Sequence, residues 1–381
     1  MRKATTADVK KANLKSIFQF IYHQHKTTKL EIATRLHLSR PTVNQCVKEL
    51  EERGLIEKNG YFESTGGRKA DAISMISSTK IAVGVELLQS RCEIVAIDLY
   101  GDIIASERHP LEFEHNDGYY RTVCQRTNDF IARLRRPAGG ILGVAIVLQG
   151  LISSDGNNVT YGKILGCTGL SIQQFTKHIP LPCRMFHDAE SAATVELWHD
   201  EELKNAFFFH IRTNLSGALI VNGKFLPGNQ LKSGVFEHMT IVPGGTSCYC
   251  GKKGCLDCYS SYPVLLGKHP SLDAFFHALR SGDPDARTAW EEYLYYLAIG
   301  IDNLHMLIDY DVILGGTLGV YLQPEDIDSL HRLVKERSAF PTNQRFIKIS
   351  RYAATPIAKG AALSFIQNYL ESVAEVPFDT P

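Results

Sequence analysis

No stretch of this 381-residue sequence is apolar for long enough to cross a bilayer. The longest apolar run, residues 138–152, is interrupted by Gly139, Gly140, Gly143, Gly150 and Gln149 and falls short of a spanning helix. Met1-Arg2-Lys3 leads into polar residues rather than the apolar core of a secretory signal. The nine cysteines are odd in number and lack the regular spacing of a disulfide framework, which suits a reducing compartment. The expectation is a cytoplasmic protein with no membrane insertion. Net charge is missing too, with 41 basic and 41 acidic residues. That balance hides an asymmetry. Residues 1–70 hold fourteen Lys/Arg against seven Asp/Glu, an excess of +7, so the remainder carries −7. A basic head on an acidic body implies that the head alone meets a polyanion.

The head reads as a winged helix-turn-helix over residues 1–76. Leu14, Ile17, Phe18, Ile21 and Tyr22 recur at helical spacing and predict a helix over 11–24. A second helix fits 29–36. His37-Leu38-Ser39 breaks it, Ser39 caps a third helix and Pro41 suits its first turn. Val43, Cys46, Val47 and Leu50 form the third helix's buried stripe. Arg40, Thr42, Asn44, Gln45 and Lys48 occupy its other face, where Arg, Asn and Gln are the residue types that read base edges. Gly54 should stop that helix. Lys58-Asn59-Gly60 between two short apolar segments predicts a wing hairpin turning there. After it come Gly66-Gly67-Arg68-Lys69, cations able to enter a narrow minor groove. In this reading Arg40, Asn44 and Gln45 read bases, while Thr42, Lys48, Arg68 and Lys69 hold the DNA backbone. The alternative is a small helical domain used only for protein contacts.

Further on, His238, Cys248, Cys250 and Cys255 give His-x9-Cys-x-Cys-x4-Cys. Three thiolates and one imidazole are the ligand set of a closed, structural zinc site. Gly251 and Gly254 allow the chain to wrap an ion. The alternative is a cluster of reduced cysteines that merely lie close in sequence. Cys258 reads as a buried small residue rather than a fifth ligand.

Residues 80–85, 91–97 and 102–108 predict three consecutive strands, with another at 143–148. A second set lies at 207–211 and 218–221, turned at Asn222-Gly223. A long helix through Leu294, Leu297, Ile301 and Leu304 leads to a strand at 312–314, and a final helix covers 357–370. Strand meanders alternating twice with long helices predict a two-lobed α/β body with a cleft.

Cys248-Tyr249-Cys250-Gly251-Lys252-Lys253-Gly254-Cys255-Leu256-Asp257 resembles the Cys-x-Cys-Gly-x-x-Gly-Cys-Leu-Glu loop of the ROK family (repressors, open reading frames and kinases), in its xylose and N-acetylglucosamine repressor branch. Thr65-Gly66-Gly67-Arg68, Asn222-Gly223-Lys224, Gly315-Gly316 and Lys359-Gly360-Ala361-Ala362 extend the similarity along nearly the whole chain. The resemblance implies an actin-like body of the sugar kinase/RNase H-like kind behind the winged helix, with lobe 1 at 79–185 plus 355–381 and lobe 2, carrying the zinc loop, at 186–354. It also implies a homodimer or tetramer on a palindromic operator in double-stranded DNA.

The departures from the family matter as much. The kinases' first phosphate loop, Asp-x-Gly-Gly-Thr, is matched by Glu86-Leu87-Leu88-Gln89, and the second by Arg212-Thr213-Asn214-Leu215-Ser216. Bulky side chains stand where backbone should approach a phosphate. Asp188 aligns with the catalytic aspartate, but without a held phosphoryl donor it reads as an acceptor for a sugar hydroxyl. The family's sugar-contacting motifs become His187-Asp188, Val235-Phe236-Glu237-His238 and Leu256-Asp257, so His187, Asp188, Glu237, His238 and Asp257 are the candidate ligand-binding residues. Arg212 or His187 near the cleft would suit an anion. The resemblance implies a non-enzymatic regulator, a repressor of carbohydrate uptake or catabolism genes, controlled by a sugar or sugar phosphate. A sugar kinase with an appended DNA-binding domain and a regulator controlled by a protein partner are the alternatives.

Overall fold

The computed structural model describes residues 5–62, 70–137 and 139–373. Helix α1 (Thr6–Gln24) opens with a reciprocal cap: Thr5 Oγ1 accepts the Asp8 N–H, and the Thr5 N–H donates to Asp8 Oδ2 at 2.8 Å. The helix starts earlier than its apolar stripe because this first turn is polar and held by the cap. Helices α2 (Lys29–Arg35) and α3 (Arg40–Glu52) are joined through His37 in a left-handed conformation, φ 53°. Ser39 accepts the Thr42 N–H as the cap of α3. Strands β1 (Lys26–Thr27), β2 (Ile56–Tyr61) and β3 (Asp71–Met75) form an antiparallel sheet in the order β1-β3-β2.

The predicted turn at Lys58-Asn59-Gly60 is not a turn. These residues lie inside β2, where Lys58 pairs with Ile73 and Tyr61 with Asp71, so β2 carries one extra residue. Gly60, at φ 78°, takes the left-handed position of the resulting bulge, and in sequence a bulge glycine looks like a hairpin glycine. The two strands connect through 63–69, outside the described residues. Arg68 and Lys69 lie there as well.

Lobe 1 holds a five-stranded sheet, β10-β7-β4-β5-β6. Its strands are β4 (Ile81–Leu87), β5 (Arg91–Ile97), β6 (Ile103–Pro110), β7 (Ile141–Leu148) and β10 (Cys183–His187). β4–β6 are antiparallel, and β7 and β10 run parallel to β4. One face packs on α4 (Asp117–Arg133) and the short α5 (Gln173–Thr176), the other on α13 (Ile357–Ser372), which buries every residue of β4. A small hairpin, β8 (Leu151–Ile152) and β9 (Val159–Tyr161), leaves the end of β7.

Lobe 2 repeats the same order as β15-β14-β11-β12-β13. Its strands are β11 (Ala206–Ile211), β12 (Leu215–Val221), β13 (Lys224–Phe225), β14 (Asp311–Gly315) and β15 (Ile347–Ile349). α6 (Asp188–His199) covers one face through Ala189 and Ala193. The other face meets α9 (Leu272–Arg280), α10 (Pro284–Leu307) and α12 (Pro324–Arg337), with short helices α7 (Asp257–Ser260), α8 (Pro263–Leu266) and α11 (Gly316–Gly319) at the sheet's ends. Between the lobes α6 crosses α13. A side chain at Gly360 would collide with the Ser191 carbonyl, which accounts for glycine there.

The head is not on a tether. Leu14, Ile17, Phe18 and Ile21 of α1 belong to one apolar cluster with Ile97, Leu99, Val195, Ala362 and Ile366 of the body. Tyr22 donates its hydroxyl to the Leu99 carbonyl at 3.1 Å and stacks on Tyr100 with ring centroids 5.0 Å apart. The connection at 76–80 is itself bonded on both sides: Thr79 Oγ1 donates to Gly54 O, and Leu99 N–H donates to Ser77 O. Among the described residues no helix is long and apolar enough to cross a membrane.

Candidate metal centre, ligand cavity and nucleic-acid interface

The residues 238–255 fold into a knot around their own turns. The Ile241 and Val242 N–H groups both donate to the Gly254 carbonyl. Gly254, at φ 76°, lies so close to Val242 that no other side chain fits there. The Cys248 N–H donates to Lys252 O, and the Gly251 N–H to Cys248 O, closing a tight turn. This brings together His238, Cys248, Cys250 and Cys255, with all four ligand atoms within 4.8 Å of one another. Cys248 Sγ stands 3.6 Å from His238 Nδ1, and Cys250 Sγ stands 3.7 Å from Cys255 Sγ. Tetrahedral zinc with bonds of about 2.3 Å to sulfur and about 2.0 Å to nitrogen would place such ligands roughly 3.5–3.8 Å apart. The donor set and its spacing therefore fit a divalent soft-metal site. Burial, with the nearby Lys252 charge, pulls His238 below the usual imidazole value and favours the neutral, ligating ring.

A cavity of about 560 Å³ lies beside this knot, between the lobes. His187 and Asp188, at the β10–α6 junction, form part of its wall, and Ser216, Glu237 and His238 contribute from lobe 2. Asp188 is buried. Its Oδ2 accepts the Ser216 hydroxyl, while Oδ1 makes no hydrogen bond and has the His187 ring Nε2 3.3 Å away. Glu237 is buried with Oε2 unpartnered, and burial drives its carboxyl well above the ordinary value. The cavity thus presents buried carboxyl groups with unfilled hydrogen-bonding capacity, an arrangement suited to a ligand rich in hydroxyls, which both donate and accept. Val235 also lines it.

Asp257 is not brought to this cavity. Its Oδ1 accepts the Leu215 N–H at 2.5 Å, and burial pushes its carboxyl up to about 6. Arg212 does not line it either, because its guanidinium is held by Glu86. Sequence reasoning missed Gln149, Tyr161, Lys163, Lys232 and Tyr249, which line the cavity. Four of them sit in stretches with no motif of their own. Tyr249 lies inside the cysteine motif, where attention falls on the thiols.

On the head, α3 turns Val43, Cys46, Val47 and Leu50 inward and leaves Arg40, Asn44, Gln45 and Lys48 exposed. Thr42 is half-buried with its hydroxyl 2.8 Å from Ser39 Oγ, and Lys48 pairs with Glu52 at 3.6 Å.

A winged helix fused to a two-lobed body with repeated sheets is the architecture of the regulators built on the actin-like sugar-kinase fold. The ROK family profile matches residues 82–366, and a winged helix-turn-helix DNA-binding profile matches residues 13–57. The chain belongs to the ROK family. It is 24% identical over 254 residues to the DNA-binding transcriptional dual regulator NagC of Escherichia coli (strain K12), a match covering 65% of this chain and 62%, less than two thirds, of that protein. It is 23% identical to the xylose repressor of Bacillus spizizenii, over 78% of this chain and 79% of that one. Among solved structures, a ROK family transcriptional regulator, homologue of the E. coli MLC protein, superposes with a TM-score of 0.74 at 19% identity, over 97% of this chain and 100% of that one. A ROK family glucokinase from Streptomyces griseus, in complex with glucose and AMPPNP, gives 0.63 at 20% identity over 74% of this chain and 98% of that one.

Proposed function

We propose that this protein is a cytoplasmic DNA-binding transcriptional regulator, a repressor of carbohydrate uptake or catabolism genes, controlled by a sugar-type ligand in the interlobe cavity. The observation that supports the reading is the apolar cluster that α1 of the head shares with β5, α6 and α13, the elements at the junction of the lobes. With the head packed on this junction, a ligand that changes the angle between lobes also re-aims α3. In a homodimer or tetramer on a palindromic operator, this changes the match to half-sites about 34–36 Å apart. Arg40, Asn44 and Gln45 read bases; Thr42, Lys48, Arg68 and Lys69 grip the backbone. Asp188, His187, Glu237 and the outward side of His238 receive ligand hydroxyls, and Asp257 supports them from behind through Leu215. One structural zinc per chain, held by His238, Cys248, Cys250 and Cys255, fixes the knot that forms one wall of the cavity. Kinase activity is not part of this function, since the segments resembling phosphate loops carry Glu86 and Arg212 bound to each other.

The test is selection of bound duplexes from a random DNA pool by the purified protein, then titration of the selected site with and without sugars. A symmetric site whose affinity a sugar alters is the expected result. Recovery of no specific duplex, or sugar-dependent hydrolysis of ATP, would refute the reading.

A further inference from the structure

We infer that the ligand of the interlobe cavity is a disaccharide, its second unit held in an adjoining compartment lined by Phe186, Glu190, Phe225 and Ser233. This inference rests on the cavity being the sugar site. The compartment measures about 240 Å³, and Leu151, His187 and Val235 line both it and the cavity, so the two spaces share a wall. It too lies between the lobes. Phe186 belongs to β10 of lobe 1, Phe225 to β13 of lobe 2, and Ser233 to the loop that follows β13. Glu190 comes from the first turn of α6, directly after the junction that carries His187 and Asp188.

Each space has what one sugar ring needs. In the cavity these are the buried carboxyls of Asp188 and Glu237, each with an oxygen to spare. In the compartment, Phe186 and Phe225 offer aromatic surface to the C–H face of a ring. The half-buried Glu190 carboxylate and Ser233 hydroxyl have no hydrogen bond or ion pair among the described residues, so both are free for ring hydroxyls. The shared wall is different. Leu151 and Val235 there are apolar, and His187 has Nε2 turned to Asp188 at 3.3 Å. A free hydroxyl directed at Val235 gives up a partner that water supplied. A glycosidic oxygen carries no proton and leaves no donor unsatisfied. A linkage therefore fits the wall better than the terminal hydroxyl of a lone ring does. A ligand that fills both spaces also touches both lobes in two places, which ties its binding to one interlobe angle.

The test is calorimetry on the full chain with matched sets: glucose with maltose and cellobiose, xylose with xylobiose, and N-acetylglucosamine with diacetylchitobiose. At least one disaccharide should bind at least about tenfold more tightly than its own monosaccharide. In Glu190→Gln and in Phe225→Ala the ratio of disaccharide to monosaccharide affinity should fall towards one, with thermal melting of the free proteins showing that each variant is folded. If the phenylalanine variant does not fold, the isosteric Glu190→Gln decides alone. Monosaccharides bound as tightly as every disaccharide, or an affinity ratio untouched in the folded variants, would overturn this inference and leave the sugar site standing. Silence from every sugar would overturn both.

Discussion

Arg212 Nη1 donates to Glu86 Oε1 at 2.5 Å, joining two lobes through residues that are both almost buried. The partners come from the two segments that stand where the kinases carry their phosphate loops. The Arg212 cation is thereby engaged by a carboxylate from the facing segment.

Removing one member of this pair should be costly. Arg212→Met leaves Glu86 buried without its cation, and a loss of about 3–5 kcal/mol is expected for a broken buried pair. Adding Glu86→Leu to the same chain should recover most of that loss. Urea denaturation of the two variants measures both effects, and a single variant as stable as the wild type would show that the pair is incidental.

Metal analysis of the purified protein should return about one zinc per chain, the stoichiometry of a four-ligand structural site. Cys250→Ala should lose the metal and melt at lower temperature, and a strong chelator should lower the melting point of the unmodified protein similarly. Purified protein that is free of metal yet melts normally, indifferent to chelator, would rule the site out.

The exposed face of α3 makes two separable predictions. Asn44→Ala should cost about 1–3 kcal/mol on the selected operator and relax preference at one base position. Lys48→Ala should weaken binding evenly across sequences and reduce the salt slope by about one. Anisotropy titrations over a series of salt concentrations distinguish them. The assignment fails if the asparagine change leaves specificity intact.

His210, on β11, predicts an acid sensitivity. Burial holds its imidazole far below the usual 6.5, at about 3, with the charge of Arg212 pushing the same way. Neither ring nitrogen has a partner among the described residues. Between pH 6.5 and 3 the unfolded chain binds a proton that the folded chain refuses. Stability from this group is thus complete above 6.5 and declines as pH falls through that window. His210→Phe, which keeps an aromatic ring beside Phe208, should flatten the dependence of melting temperature on pH from about 4 to 7. Parallel curves for the two proteins would contradict it.

What could be read in advance followed the range of the signal. Caps and stripes are local, so Ser39, Gly54 and the buried face of α3 were legible, as was the cysteine motif, whose thiols all lie in one loop. Lys58-Asn59-Gly60 misled because a bulge and a hairpin ask for the same left-handed glycine. The Glu86–Arg212 contact was invisible because each residue looks like an unremarkable polar substitution until the lobes fold together. Lys163 and Lys232 line the cavity from loops with no motif, and lysine in a loop is the ordinary state of a surface. Asp257 was placed in the ligand's path by its motif, yet a backbone N–H had already claimed its carboxylate.

The bonded connection at 76–80 has a consequence for how such a molecule measures DNA. In the proposed homodimer or tetramer, with no slack between reader and sensor, the separation of two readers is set by the bodies alone, as the jaws of a caliper are set by its slide. Lengthening that joint with flexible residues would leave grip on a single half-site intact while erasing the ruler, and with it any response to the effector.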